Sequence, residues 1–280
     1  MAVQTGGAIG IFDSGFGGLT ILKDIVRLLP GYDYIYLGDN ARAPYGSRSF
    51  ETVYEYTKEA VKLLFDKGCP LVILACNTAS AKALRSIQQL DLPDWDASRR
   101  VLGIIRPTVE SIPEVSVNGH VGILATRGTV VSYSYPLEIA KLHGEASLTV
   151  TQVECPLWVP LVENGETEGP GAEYFVKKYI DELFDQDPEI DTVILGCTHY
   201  PLLEGLISRY LPAGVRLLEQ GKLVAASLKR YLGKHPEIER RLTQTGTVKY
   251  LTSEQSEYFE RVAKAFVNGN ICAEHIEFLL

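Results

Sequence analysis

Residues 71–80 read LVILACNTAS, and residues 191–201 read DTVILGCTHYP. Each is a short run of β-branched and leucine side chains that ends on a small residue and then a cysteine, with a threonine one or two positions on. A run this short, apolar on both faces, has the pattern of a strand buried in a parallel sheet. Two stretches upstream echo each other in the same way: AIGIFDSGFGG (8–18) and HVGILATRGTV (120–130). The two pairs keep the same order, with 66 residues from Gly10 to Cys76 and 75 from Gly122 to Cys197. A repeat at this scale predicts two α/β domains of similar topology, each with a cysteine just past the end of one strand. Buried strands all draw on Val, Ile and Leu and resemble one another by chance. The matched Cys and Thr argue against chance here.

Outward from these blocks the chain alternates between strand and helix patterns. Strands are expected at 8–12, 33–38, 70–75, 100–105, 120–124, 147–153, 191–196, 215–218, 247–252 and 276–279. Helices are expected at about 18–29, 49–67, 78–89, 129–143, 157–164, 170–185, 201–210, 220–232 and 253–267. Doubly apolar strands joined by helices imply mostly parallel sheets flanked by helices on both faces. No linker rich in Pro, Gly or Ser divides the chain.

Composition narrows the class. The 280 residues suit about two domains. The chain is 46% hydrophobic and 22% charged, which supports a buried core rather than disorder. A formal net charge of −8 offers no nucleic-acid footprint. Met1 to Gly7 lacks the basic start and apolar run of a signal peptide, and the apolar runs are too short to span a bilayer. A soluble, cytoplasmic protein without a membrane partner is expected. Five cysteines, an odd number at wide spacings, make a disulfide framework improbable. Without C-x-x-C or H-x-x-x-H pairs, a metal site has little support.

In parallel α/β sheets, ligands bind beyond the carboxyl ends of the strands. Asp13-Ser14-Gly15, Pro44-Tyr45-Gly46, Cys76-Asn77-Thr78 and Cys197-Thr198-His199 all fall there, and Glu154 ends another strand. Ser14, Asn77, Thr78 and Thr198 suit a cradle for carboxylates and an ammonium at helix starts. Any one of them alone would be read as a plain N-cap. Cys76 and Cys197 both sit at strand-to-helix junctions, where a thiolate is expected to be favoured. Cys69, Cys155 and Cys272 have no counterpart in the repeat and are assigned to packing. Two thiols from matched halves suggest two-base chemistry, in which one removes a proton from carbon and the other returns one to the opposite face. Asp13 near Cys76, and His199 or Glu154 near Cys197, would poise them. Tyr45 reads equally as a substrate contact or as aromatic packing. Arg42, Arg106 and Arg127 read as surface or structural residues rather than carboxylate clamps.

The blocks IGIFDSGFGGLTIL, YLGDNARAPYG, ACNTASA, GIIRPTV, VGILATRGTV, ECPLWVPLVE and LGCTHYPLL together resemble the glutamate racemases, within the aspartate/glutamate racemase superfamily. The match runs in order from about residue 9 to 205. The resemblance implies interconversion of L- and D-glutamate, with D-glutamate supplied to peptidoglycan synthesis, and neither pyridoxal phosphate nor a metal as cofactor. It implies Cys76 and Cys197 as proton carriers, with Asp13, Glu154 and His199 assisting. It implies substrate binding by Asp13, Ser14, Tyr45, Gly46, Asn77, Thr78, Thr198 and His199. It further implies two α/β domains around a central cleft, divided as 1–101 plus 217–280 and 102–216, and a homodimer. Some members need a muramoyl-peptide nucleotide as activator, so this is a candidate partner. After VRLL the family often shows Asp-Ser or Asp-Pro, whereas this chain has LEQG at 218–221. Three other readings stay open: the same chemistry on aspartate or another small acid, a non-catalytic amino-acid binder, and a hydrolase using one cysteine alone.

Overall fold

A computed structural model describes residues 6–144, 148–267 and 269–278. Its described residues form ten strands in two parallel sheets. The first half supplies β1 (Ile9–Asp13), β2 (Tyr34–Gly38), β3 (Leu71–Leu74) and β4 (Arg100–Gly103). The second supplies β5 (His120–Ala125), β6 (Thr149–Glu154), β7 (Thr192–Gly196) and β8 (Arg216–Leu218). The chain then returns to the first sheet with β9 (Val248–Thr252) and β10 (Ala273–His275). The orders are β10-β9-β2-β1-β3-β4 and β6-β5-β7-β8. The four strands β2-β1-β3-β4 thus correspond one for one to β6-β5-β7-β8.

The registers make the duplication residue-specific. Gly10 lies opposite Val72, and Gly122 opposite Val193. Phe12 lies opposite Leu74, and Leu124 opposite Leu195. Cys76 and Cys197 each follow those leucines by two residues, so the cysteines are equivalent positions of the repeat. Each also sits beside the point where strand order reverses, with the crevice at the carboxyl ends of β1 and β3 in one half and of β5 and β7 in the other.

Strands β1, β2, β3 and β7 are buried at every position, as doubly apolar runs require. Alternation along them divides the interior into layers. Ile9, Ile11, Tyr34, Tyr36, Leu71 and Ile73 join Leu124, Val153, Val193 and Leu195 in one cluster that runs through both halves. Phe12, Leu37, Val72 and Leu74 face the helix Phe50–Asp66, through Val53, Val61 and Leu64. Val121, Ile123 and Ile194 form the outer layer of the second half. The helix Gly18–Leu28 packs against Gln220–Lys234, so the chain's return is clamped onto its own beginning. Among the described residues no helix is long and apolar enough to cross a membrane.

Several boundaries differ from the sequence expectation. Ile104 and Ile105 do not extend β4. The helix Ile105–Glu110 starts there, because a short apolar run cannot distinguish a strand from a buried helix and Pro107 is tolerated in a first turn. The helix expected at 129–143 is two pieces, Arg127–Val131 and Ser134–His143, parted at Tyr133 with φ 57°. The segment expected at 78–89 runs on in short α and π turns to Asp96, with Pro93 opening its last turn. The last strand is Ala273–His275 rather than 276–279. It joins the sheet edge by backbone pairing to β9, while the apolar Ile276 that suggested a strand packs into the core beyond it. Residue 279 of that expected strand, residue 147 of the one expected at 147–153, and residues 1–5 and 280 of the expected first domain lie outside the described residues. β4 crosses residue 101 within the first sheet, and β8 crosses residue 217 within the second.

The repeated glycine has a packing role in the second half. A Cβ on Gly122 would fall 2.7 Å from Leu183 Cδ2 and 3.2 Å from Ile190 Cδ1, both fully or nearly buried. Gly122→Ala is expected to destabilise the protein by about 1–3 kcal/mol through overpacking. A lower urea midpoint with an unchanged slope is the result to look for.

Candidate active site

The loop after β1 touches both cysteine loops. Ser14 Oγ lies 3.3 Å from Cys76 Sγ. Three residues on, a Cβ at Gly17 would sit 2.3 Å from Thr198 Oγ1 and 2.5 Å from His199 Nδ1, so only glycine allows the Cys197 loop to come this close. Thr20 Oγ1 then donates to the Thr198 carbonyl at 3.1 Å. The two sulfurs are near enough that charge on Cys197 contributes to raising the Cys76 pKa. Both cysteines are almost enclosed, at 6% and 7% exposure.

Cys76 lies two residues past β3 and caps the helix Asn77–Lys82, its sulfur accepting the Ala79 N–H at 3.4 Å. A thiolate was expected there. Instead, burial and then the Asp13 charge push the thiol up to about 12, and the Ser14 and Ala79 hydrogen bonds only partly offset them. A six-residue helix end does not compensate for full desolvation. Asp13 is itself pushed up to about 6 by burial, against the lowering influence of the His199 charge and the Gly15 and Gly18 N–H groups. Its Oδ2 accepts from Gly15 N at 2.9 Å, and its Oδ1 has no hydrogen-bond partner among the described residues.

On the opposite side Cys197 Sγ lies 3.8 Å from His199 Nδ1, and His199 Nε2 lies 3.0 Å from Glu163 Oε1. Burial disfavours the imidazolium, but hydrogen bonds to Cys197 and Glu163, with their charges, outweigh it and hold His199 up at about 10. The loop is anchored from behind. Tyr200 donates to the Cys155 carbonyl at 3.2 Å and meets Trp158 edge-on at 4.7 Å.

Glu163, at the end of the helix Trp158–Glu163, is therefore the carboxylate that meets His199. Glu154 ends β6 on the outer strand of the second sheet, and its carboxylate makes no hydrogen bond or ion pair among the described residues. Sequence reasoning missed Glu163 as a partner. It closes the block ECPLWVPLVE, but nothing in its spacing set it apart from an exposed helix end.

The other candidates divide into two groups. Thr78 Oγ1 lies 2.9 Å from Thr126 Oγ1, and the Gly46 carbonyl accepts from Gly128 N at 2.7 Å, so both join the halves across the crevice. Thr126 is the repeat's counterpart of Ser14 and was also overlooked. Asn77 and Tyr45 are committed inward. The Tyr45 hydroxyl donates to the buried Asp39 carboxylate, and its ring packs against Phe12 and Tyr56. Arg42 is structural, bonding Asp39 at 2.7 Å and lying over the Tyr56 and Phe278 rings. Arg106 pairs with Glu110 at 3.0 Å, and Arg127 is exposed. Cys69 and Cys155 are buried, but Cys272 is exposed, so packing does not account for it. No group of three or more His, Cys, Asp or Glu side chains is gathered to hold a metal among the described residues.

Two equivalent thiols thus follow corresponding strands of the repeat, with the Asp13 carboxylate acting on one and the His199 imidazole beside the other. The family model for Asp/Glu/Hydantoin racemases matches residues 9–228, and the chain belongs to that family, as a racemase and thus an isomerase. Its similarity within the family is to glutamate racemases. That of Persephonella marina is 39% identical over 271 residues, covering 96% of this chain and 97% of the relative. The structure of the Francisella tularensis enzyme in complex with D-glutamate is 30% identical, covers 99% of both chains and superposes with a TM-score of 0.86. The Escherichia coli enzyme, in complex with L-glutamate and the activator UDP-MurNAc-ala, is 28% identical over 98% of this chain and 99% of its own, with a TM-score of 0.76.

Folding raises His199 from its ordinary 6.5 to about 10. Its contribution to stability is therefore complete below pH 6.5 and lost as pH rises through about 10. NMR of the ring is expected to find wild-type His199 protonated at pH 8. Glu163→Gln should bring its midpoint down by about 1–3 pH units, the size of a neighbouring-charge effect. An unmoved midpoint would remove Glu163 from the site.

Proposed function

We propose that this protein interconverts L- and D-glutamate by two-base proton transfer between Cys76 and Cys197. The observation that carries the proposal is the pair of equivalent cysteines, one per sheet, joined by a loop that meets Cys76 on one side and Thr198 and His199, next to Cys197, on the other. Inversion at carbon needs an acid and a base on opposite faces. One sulfur, as thiolate, takes the α-proton. The carbanion so formed takes a proton from the other thiol, which is left as thiolate. One C–H bond breaks, one forms, and the two cysteines exchange protonation states.

The surroundings suit an unequal pair. Burial and Asp13 keep the proton on Cys76, while the imidazolium of His199 places positive charge beside the Cys197 sulfur. Asp13 and the His199–Glu163 pair are the assisting groups in this scheme. Glu154 lies further out, on the sheet edge. Ser14, Gly46, Thr78 and Thr198, with Thr126, would supply hydrogen bonds to the carboxylates and ammonium. Tyr45 would act through its main chain, since its hydroxyl is committed to Asp39. The proposal extends to a cytoplasmic homodimer that supplies D-glutamate to peptidoglycan synthesis and so to cell-wall formation and cell shape. Its domains would be 1–101 plus 217–280 and 102–216. A muramoyl-peptide nucleotide of the kind bound by the Escherichia coli relative is its candidate activator.

Circular dichroism of L-glutamate without added cofactor tests the activity, and the expected signal decays to zero. Persistent optical activity from folded protein would reject it, and faster turnover of aspartate would reassign the substrate. Cys76→Ala and Cys197→Ala should each lower kcat by about 10²–10⁴-fold or more, the usual worth of a positioned acid or base. Cys69→Ala and Cys272→Ala should leave it within about twofold, far short of that loss.

A further inference from the structure

The stretch Leu218-Glu219-Gln220-Gly221 carries the chain from the last residue of β8 into the helix Gln220–Lys234. Its glutamine is 3% exposed and sits at the centre of a buried polar cluster. Gln220 Oε1 accepts from Asn77 Nδ2 at 2.6 Å. Gln220 Nε2 lies 2.9 Å from Thr108 Oγ1, 3.0 Å from the Tyr135 hydroxyl, 3.2 Å from Asn77 Oδ1 and 3.4 Å from the Ile104 carbonyl. The protons can be assigned. Tyr135 donates to Asn77 Oδ1 at 2.8 Å, and Thr108 donates to the Ile104 carbonyl at 2.8 Å. Both hydroxyl oxygens are then acceptors for the two N–H groups of Gln220. Flipping the Gln220 amide alone would set its NH₂ against that of Asn77, so the two carboxamides are tied to each other.

The cluster joins the two halves at their thiols. Asn77 follows Cys76 directly. Gln220 follows β8, which pairs with β7 so that Leu218 lies opposite Ile194, three residues before Cys197. Tyr135 opens the helix Ser134–His143 of the second half and is close enough to Cys197 for that charge to raise its hydroxyl pKa. The Asn77 carboxamide thus spends its oxygen and one N–H on the frame that carries the other cysteine.

We propose that Gln220 is a positioning residue that sets the spacing of Cys76 from Cys197 by holding Asn77 to Tyr135 and Thr108. The proposal rests on the two-cysteine scheme. Two sulfurs that share one α-carbon must keep their separation, and a displacement of about 1 Å at a catalytic group costs about 10²-fold in rate. The cluster is rigid because every donor in it is enclosed and an unmade bond there is costly.

The test is steady-state kinetics in both directions with purified full-length Gln220→Leu, beside Tyr135→Phe, which removes a single hydroxyl. For Gln220→Leu, kcat is expected to fall about 10–100-fold in both directions while KM moves less than about threefold. Tyr135→Phe should lower kcat by itself but add nothing in the Gln220→Leu background, since the two act through one network. A role in stability alone would lower the melting temperature and leave kcat per folded molecule within twofold of wild type, and that result overturns the proposal. If Gln220→Leu does not fold, Tyr135→Phe decides: reduced kcat with KM kept supports the proposal, and unchanged kcat overturns it. Cys76→Ala and Cys197→Ala run in parallel separate the two ideas. Inactive cysteine variants with a fully active Gln220→Leu would remove only the role of Gln220. Active cysteine variants would remove the two-cysteine scheme, and this inference with it.

Discussion

The contact between the Ser14–Gly17 loop and both cysteine loops is the constraint on which the site depends. It exists because β1 lies beside β3 in the first sheet and its following helix packs toward the second half. The loop needs a hydroxyl at Ser14 to reach the Cys76 sulfur and the absence of a side chain at Gly17 to let Thr198 and His199 approach. Without that approach the molecule would hold two separate strand ends, each with a buried thiol.

Enclosure shapes the electrostatics. Desolvation is the largest influence on Asp13, Cys76 and His199, yet it ends differently for each because their neighbours differ. Burial raises Asp13, and burial together with the Asp13 charge keeps the proton on Cys76. His199 faces a sulfur and a carboxylate, so it keeps its positive charge despite burial. The thiols, equivalent in the repeat, are thereby made unequal in surroundings, which suits the two-base scheme proposed above.

The same divergence runs through the duplicated framework. Asp13 pairs with Gly38 at the end of β1, where the second half places Ala125 opposite Glu154. Ser14 corresponds to Thr126, Asn77 to Thr198 and Thr78 to His199. The strands that carry these positions were kept alike because each must be apolar on both faces. The loops beyond them were free to differ, since backbone geometry there is set by caps and turns rather than by the core.

The parallel α/β class, the repeat and both cysteine positions were legible in the sequence, because strand burial writes itself as uninterrupted Val, Ile and Leu and a cysteine after such a run is conspicuous. Element ends were less legible. Ile104-Ile105 and Ile276 are apolar for reasons of packing and carry no signal of strand or helix. Only the tertiary structure decided which carboxylate meets His199, since Glu163 lies nine residues beyond Glu154 on a helix whose direction depends on how Trp158 packs against Tyr200. It alone joined Gln220 to Asn77 across 143 positions of sequence. It also reversed the expected state of Cys76, because a pKa answers to every group within a few ångströms and to the water excluded from among them, and neither is a property of the residue's neighbours along the chain.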